Sequence, residues 1–186
     1  MNVIGSDLDR KDLAEAMTYF SRFLTRGKYK HTLTQSALTA GKHNIPCALY
    51  TLADTKEHFA AKDTRTLQLW QADAALCGTL LKKKPADILV CDLPYGVQHA
   101  PQSGAKTETF PQLLNRLLPA WHQALKPGGA MALSYNTLTL PRKKLAEAVT
   151  NAGFTVLTEA PYGTFEHYVE QAVTRDLLIA TLSCRP

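Results

Sequence analysis

A chain of 186 residues and 20.5 kDa that is 45% hydrophobic and 20% charged has the size and balance of one globular domain, which sets aside disorder, collagen and coiled coil. No apolar run approaches the roughly 20 residues of a spanning helix, and residues 1–7 have neither the basic start nor the apolar core of a signal peptide; a soluble, cytoplasmic protein with no membrane contact is expected. The formal charge of +5 favours polyanionic partners, while Cys47, Cys77, Cys91 and Cys184 never form a C-x-x-C pair, so neither a zinc site nor a disulfide framework is indicated.

Residues 2–9 read as a short buried strand running into a turn, with Asp9 placed to cap the helix that follows. Leu13, Met17, Phe20 and Leu24 recur at helical spacing, and Gly27 is a stop. From 28 to 66 the pattern holds Gly41, Asn44 and Pro46, then Leu49, Leu52, Ala53 and Phe59, which suit a helix; a strand at 47–53 is the rival reading. Residues 66–70 alternate as a strand should, and Ala86–Asp92 is a nearly continuous apolar run of the kind found in a sheet covered on both faces. After Pro94-Tyr95-Gly96 a polar loop over 98–108 leads to a helix at 110–125, ended by Lys126-Pro127-Gly128-Gly129. A strand at 130–135, a helix at 141–152 stopped by Gly153, and strands near 154–159 and 177–183 complete the chain. Alternating strands and helices with two strands at the close argue α/β, mostly parallel with an antiparallel C-terminal edge. The expectation is a single domain over 1–186 with a helical insertion at about 28–66.

In open α/β sheets ligands bind past the carboxyl ends of the strands. Three successive strands end in aspartate: Asp7, Asp73 just past 66–70, and Asp92. Past a strand edge, a carboxylate such as Asp7 can accept two hydrogen bonds from vicinal ribose hydroxyls, and Asp73 one strand over can accept an exocyclic adenine amine. The Asp92-Leu93-Pro94-Tyr95 turn joins an acceptor side chain, an outward carbonyl, a proline that limits the turn and an aromatic face. Together they can stack a planar base while two acceptors orient its amino group for in-line attack on an electrophile.

The stretch Val90-Cys-Asp-Leu-Pro-Tyr-Gly96 resembles the (Asp/Asn)-Pro-Pro-Tyr motif of class I S-adenosylmethionine-dependent methyltransferases that act on amino groups of bases. Gly96, the upstream Gly5-Ser-Asp-Leu-Asp9 and the closing stretch Phe165–Asp176 are similar to the THUMP-associated RNA methyltransferase branch, which modifies guanosine N2. The resemblance implies a Rossmann-like sheet and S-adenosyl-L-methionine as cofactor. It implies that Asp7, with Leu8, binds the cofactor's ribose; Asp73, with Ala74, its adenine; and Asp92 with the Leu93 carbonyl the target amine under Tyr95. Gly96 and His99 fall where substrate would be touched. Two departures stand out: Leu93 replaces the motif's first proline, and no G-x-G loop occurs anywhere, so the first strand and its methionine cradle are missing.

The implied partner is RNA, tRNA or rRNA, with self-association or a missing N-terminal segment completing the sheet. A DNA adenine-N6 methyltransferase shares the turn motif, and a non-catalytic nucleic-acid-binding remnant would suit the absent cofactor loop. Residues 26–43 hold Arg26, Lys28, Lys30 and Lys42 with no acid, as a nucleic-acid contact or a solvated helix end does. Six scattered histidines show no ligand spacing, so no metal is expected.

Overall fold

In the computed structural model, which describes residues 1–81, 85–94, 108–170 and 173–183, the chain divides into two units, Met1–Leu76 and Cys77–Pro186, each built on its own sheet. The first unit runs β1 (Val3–Asp7), α1 (Arg10–Arg26), β2 (Lys30–Ala40), β3 (His43–Ala53), α2 (Lys56–Ala60) and β4 (Arg65–Gln71), with sheet order β1-β4-β3-β2. Helix α1 starts where the Asp9 carboxylate accepts the Lys11 N–H at 2.6 Å and ends at Gly27. Leu13, Met17, Phe20 and Leu24 form its inward stripe, as their spacing predicts, and Leu24 is wholly buried. The buried Tyr50 of β3 ties the sheet to this helix: its hydroxyl donates to the Met17 carbonyl at 3.1 Å and lies 2.8 Å from Ser21 Oγ, and its ring meets Phe20 edge-on.

The insertion expected to be helical is a β-hairpin instead. Strands β2 and β3 pair without a break from Lys30↔Ala53 to Ala40↔His43, leaving only Gly41 and Lys42 as the turn. Gly41 has φ +59°, the left-handed conformation that a two-residue hairpin turn with glycine in first place requires. Leu49, Leu52 and Ala53 satisfied a helical period by coincidence of a short apolar run, and the pairing partner decided the outcome. Pro46 is tolerated because it precedes Cys47↔Trp70, the first pair between β3 and β4, and so sits where β3 has one partner strand. The space around Gly41 is open, so Gly41→Ala meets no clash and bears only the left-handed backbone penalty, about 1–2 kcal/mol. That loss is checked by the urea midpoint of the variant.

The second unit runs α3 (Cys77–Leu80), β5 (Ala86–Asp92), α4 (Phe110–Ala124), β6 (Leu125–Asn136), α5 (Arg142–Asn151), β7 (Phe154–Val156), β8 (His167–Glu170) and β9 (Val173–Leu182). Its sheet has the order β5-β6-β9-β7, with β8 also on β9. Leu114, Leu117, Leu118 and Trp121 of α4 and Leu145 and Val149 of α5 are buried, as are Met131 and Leu133 of β6 and Leu178 and Ala180 of β9. The Lys126–Gly129 tract does not end the helix with a separate turn. Strand β6 begins directly at Leu125, and the pairing with β5 shifts register between Ala86 and Ile88 to absorb the tract. Gly129 is needed there, since a Cβ would lie 2.8 Å from the Lys126 oxygen and 3.0 Å from the Asp87 oxygen.

Three expectations are corrected. The sheets are mixed, not mostly parallel: among the described residues only β1 with β4 and β5 with β6 run parallel, because the hairpin adds two antiparallel strands to one sheet and β6, β7 and β8 all pair antiparallel with β9 in the other. Strand β5 is not covered on both faces, for Ile88 and Val90 are 63% and 76% exposed. Strand β1, expected to be buried, has Val3 and Ile4 41% and 42% exposed, and β1 and β5 each end their own sheet.

Candidate functional site

In the first unit the carboxyl ends of β1 and β4 lie side by side, with Asp7 in register with Gln71, the last residue of each strand. One further bond, from the Ala72 N–H to the Asp7 carbonyl at 2.9 Å, carries the pairing to the threshold of Asp73. Both aspartates are oriented by the same local device. Asp7 Oδ1 accepts the N–H of Asp9 at 2.8 Å, and Asp73 Oδ1 accepts the N–H of Ala75 at 2.8 Å, each closing an Asx turn where the strand leaves the sheet. Asp9 then continues the path into α1 as its cap. Leu8, between the two acids, is 66% exposed, and Ala74 opens a single 3-10 turn, Ala74–Leu76. Asp7 at the end of β1 and Asp73 two residues past the end of the adjacent β4 are thus two carboxylates at one edge of the sheet, each able to accept polar hydrogens.

In the second unit Asp92 ends β5 in register with Ser134, and its side chain is exposed. The turn that follows is anchored from below: the Leu93 N–H donates to the Ser134 carbonyl at 2.8 Å and the Leu93 side chain is buried, while Pro94 is exposed. Leucine in place of proline therefore supplies both a backbone donor and a core side chain. Tyr95, Gly96 and His99 lie outside the described residues. Burial pushes the neighbouring Cys91 thiol up to about 11, and the charge of Asp92 adds to the rise, so Cys91 is held as a neutral thiol and not as a nucleophile.

The same end of this sheet carries a buried polar network that sequence reasoning assigned no role. Asp176, in register with Tyr135 on β6, accepts from the Tyr135 hydroxyl and from Arg142, both at 2.7 Å through Oδ2, and from the Phe165 and Leu177 N–H groups, both at 2.8 Å through Oδ1. Arg142 also donates to the Leu177 and Tyr162 carbonyls at 3.0 Å. Burial opposes the charge on Asp176, but the Tyr135 hydroxyl and the other donors outweigh it and hold the carboxyl below its ordinary range. Next to it Asn136, 1% exposed, accepts from the Leu138 and Thr174 N–H groups at 3.2 Å. The available signal was an acid directly before an apolar run, Asp176 before Leu177–Ala180.

Among the described residues no group of three or more His, Cys, Asp or Glu side chains is placed to hold a metal ion, and no helix is long and apolar enough to cross a membrane.

No family model matches the sequence, and no curated protein does. Among solved structures, an rRNA methylase from Streptococcus thermophilus superposes with a TM-score of 0.51 at 10% identity, covering 98% of this chain and 74% of that one. An S-adenosylmethionine-dependent methyltransferase from Clostridium acetobutylicum ATCC 824 superposes with a TM-score of 0.50 at 12% identity, over 98% and 76% of the two chains. At such identities the likeness establishes the fold, a mixed α/β arrangement of the kind found in these methyltransferases, and nothing about the reaction.

Proposed function

We propose that this chain is the catalytic domain of a cytoplasmic S-adenosylmethionine-dependent methyltransferase that acts on an exocyclic amine of an RNA base, guanosine N2 in tRNA or rRNA. The observation that carries the reading is the pair Asp7 and Asp73, held by matching turns at the ends of adjacent parallel strands. Asp7 is suited to the two ribose hydroxyls of the cofactor and Asp73 to its adenine amine, with Leu8 and Ala74 flanking the adenosyl group. The fold likeness supports it. When bound, the cofactor would supply an electrophilic methyl group, its sulfur–methyl bond breaking as the nitrogen–methyl bond forms, and would leave as the neutral thioether S-adenosylhomocysteine. Asp92 and the Leu93 carbonyl would accept the two hydrogens of the target amine, which leaves its lone pair free to attack a methyl group. Pro94 limits the turn, Tyr95 supplies a stacking face, and Gly96 and His99 follow where substrate passes. The proton shed after transfer goes to water, so no general base is assigned.

The residues present suit the adenosyl half of the cofactor better than its methionine half, for which no G-x-G occurs. Strand β5 has neighbours on one side only within its sheet and exposes Ile88 and Val90, as a parallel strand does when the strand and helix that belong beside it are missing. We take that missing element to be the first strand with its glycine loop, supplied by a second copy or by a segment outside these residues.

Titration of the chain with adenosine and with S-adenosylmethionine tests this directly. Both are expected to bind in the millimolar range with similar constants, because the methionine moiety gains nothing, and Asp7→Ala is expected to weaken both about tenfold or more, the loss of a charge-assisted hydrogen-bonded pair. A micromolar constant for the cofactor alone would mean that a cradle exists elsewhere in the chain. Absence of adenosine binding at tens of millimolar would remove the cofactor role of Asp7 and Asp73.

A further inference from the structure

The β2–β3 hairpin is longer than the strand it pairs with. Strand β4 ends at Gln71, level with Asp7, and β3 meets it only from Cys47 onward. Residues 43–45 and their partners 38–40 therefore run on past the carboxyl ends of β1 and β4, by about 10 Å at the usual rise per residue. This is the end of the first unit that carries Asp7, Leu8, Asp73 and Ala74. The overhang is a fixed arm: the ladder is continuous to Ala40↔His43, the turn is two residues long, and Ala40 and Ile45 are 3% and 2% exposed. The rest of the tip is exposed and polar, with Thr39, Lys42, His43 and Asn44. No Asp or Glu occurs from Ala16 to Ala53, so the hairpin lies wholly within an acid-free run.

We propose that the tip of this hairpin, Thr39–Asn44, holds the phosphodiester backbone of the RNA beside the candidate cofactor site, with Lys42 paired to a phosphate. The proposal rests on the reading of the chain as an RNA methyltransferase. Thr39 and Asn44 supply hydroxyl and amide donors of the kind that fix the register of a nucleic-acid backbone without reading its sequence, and Lys42 supplies the charge. An acid-free arm is what a polyanion requires when it passes close to two carboxylates that would otherwise repel it.

The experiment is fluorescence anisotropy of a labelled single-stranded RNA with the chain at several salt concentrations. Lys42→Ala is expected to weaken binding several-fold and to lower the slope of log K against log salt by about 0.7, one phosphate contact on a single strand. Lys56→Ala, the same charge change at the exposed first residue of α2, which follows the opposite end of β3, is expected to leave the slope within error. Far-UV circular dichroism checks that both variants fold. Equal losses in the two variants, no loss in Lys42→Ala, no RNA binding by the unaltered chain, or equal affinity for DNA of the same sequence would each overturn the proposal. Adenosine binding by Lys42→Ala is expected to match that of the unaltered chain. Loss of the cofactor reading would show in adenosine binding, and loss of the arm in RNA binding, so the two failures are separable.

Discussion

Asp92→Ala is expected to lower methyl transfer to RNA by about 10²–10³ in the enzyme with its first strand and glycine loop restored, the usual effect of removing one positioned hydrogen-bonding group from a reacting centre, while adenosine and cofactor binding change little. Asp92 is exposed at the end of β5, and far-UV circular dichroism checks that the variant folds. The assay is run at saturating S-adenosylmethionine, so that the loss appears in turnover and not in apparent cofactor affinity. Leu93→Pro is its companion. It restores the commoner motif residue but deletes the N–H that donates to Ser134 at 2.8 Å, so some loss of stability is expected together with retained transfer. Near-normal transfer by Asp92→Ala would make the turn a structural feature and end the amine-methylation reading.

Asp176→Ala is expected to be the most destabilising single change considered, by about 3–5 kcal/mol, the cost of removing one partner of a buried ion pair. Arg142 and the Tyr135 hydroxyl lose their shared acceptor, and the Phe165 and Leu177 N–H groups lose theirs. The pH dependence has a definite sign. The carboxyl is held below its ordinary value in the folded chain, and the unfolded value is about 3.9, so the unfolded chain binds the proton more readily in acid. The contribution of Asp176 is thus fully present above the unfolded value and is lost as pH falls through the folded one. Urea unfolding at pH 6 and pH 3 checks this: the gap between the unaltered chain and Asp176→Ala narrows in acid. A gap that stayed constant would mean that the carboxylate's charge contributes nothing.

Legibility divided along a physical line. Helix α1, with Asp9 as cap, Gly27 as stop and an apolar stripe between them, was readable because every signal for it lies within one turn of the residue it governs. The same holds for β5, α4 and α5, whose limits were placed within a residue or two, and for the positions of Asp7, Asp73 and Asp92 at or just past the ends of strands. The hairpin was not readable in that way. Its one local cue, Gly41 at the turn, was outweighed by Leu49, Leu52, Ala53 and Phe59, which fit a helical period, and whether such a short run becomes a strand depends on a partner elsewhere in the chain. The Asp176 network joins groups 41 and 34 residues apart, and no local pattern distinguishes an aspartate that will be buried and paired from one that will face water. By itself the sequence determined helices α1, α4 and α5, the carboxyl ends of β1, β4 and β5 and the positions of the three aspartates there, because those follow from short-range periodicity and capping. Only the tertiary structure decided the direction in which strands pair, the overhang of the hairpin and the burial of Asp176, because strand pairing and burial are settled by which distant surfaces meet.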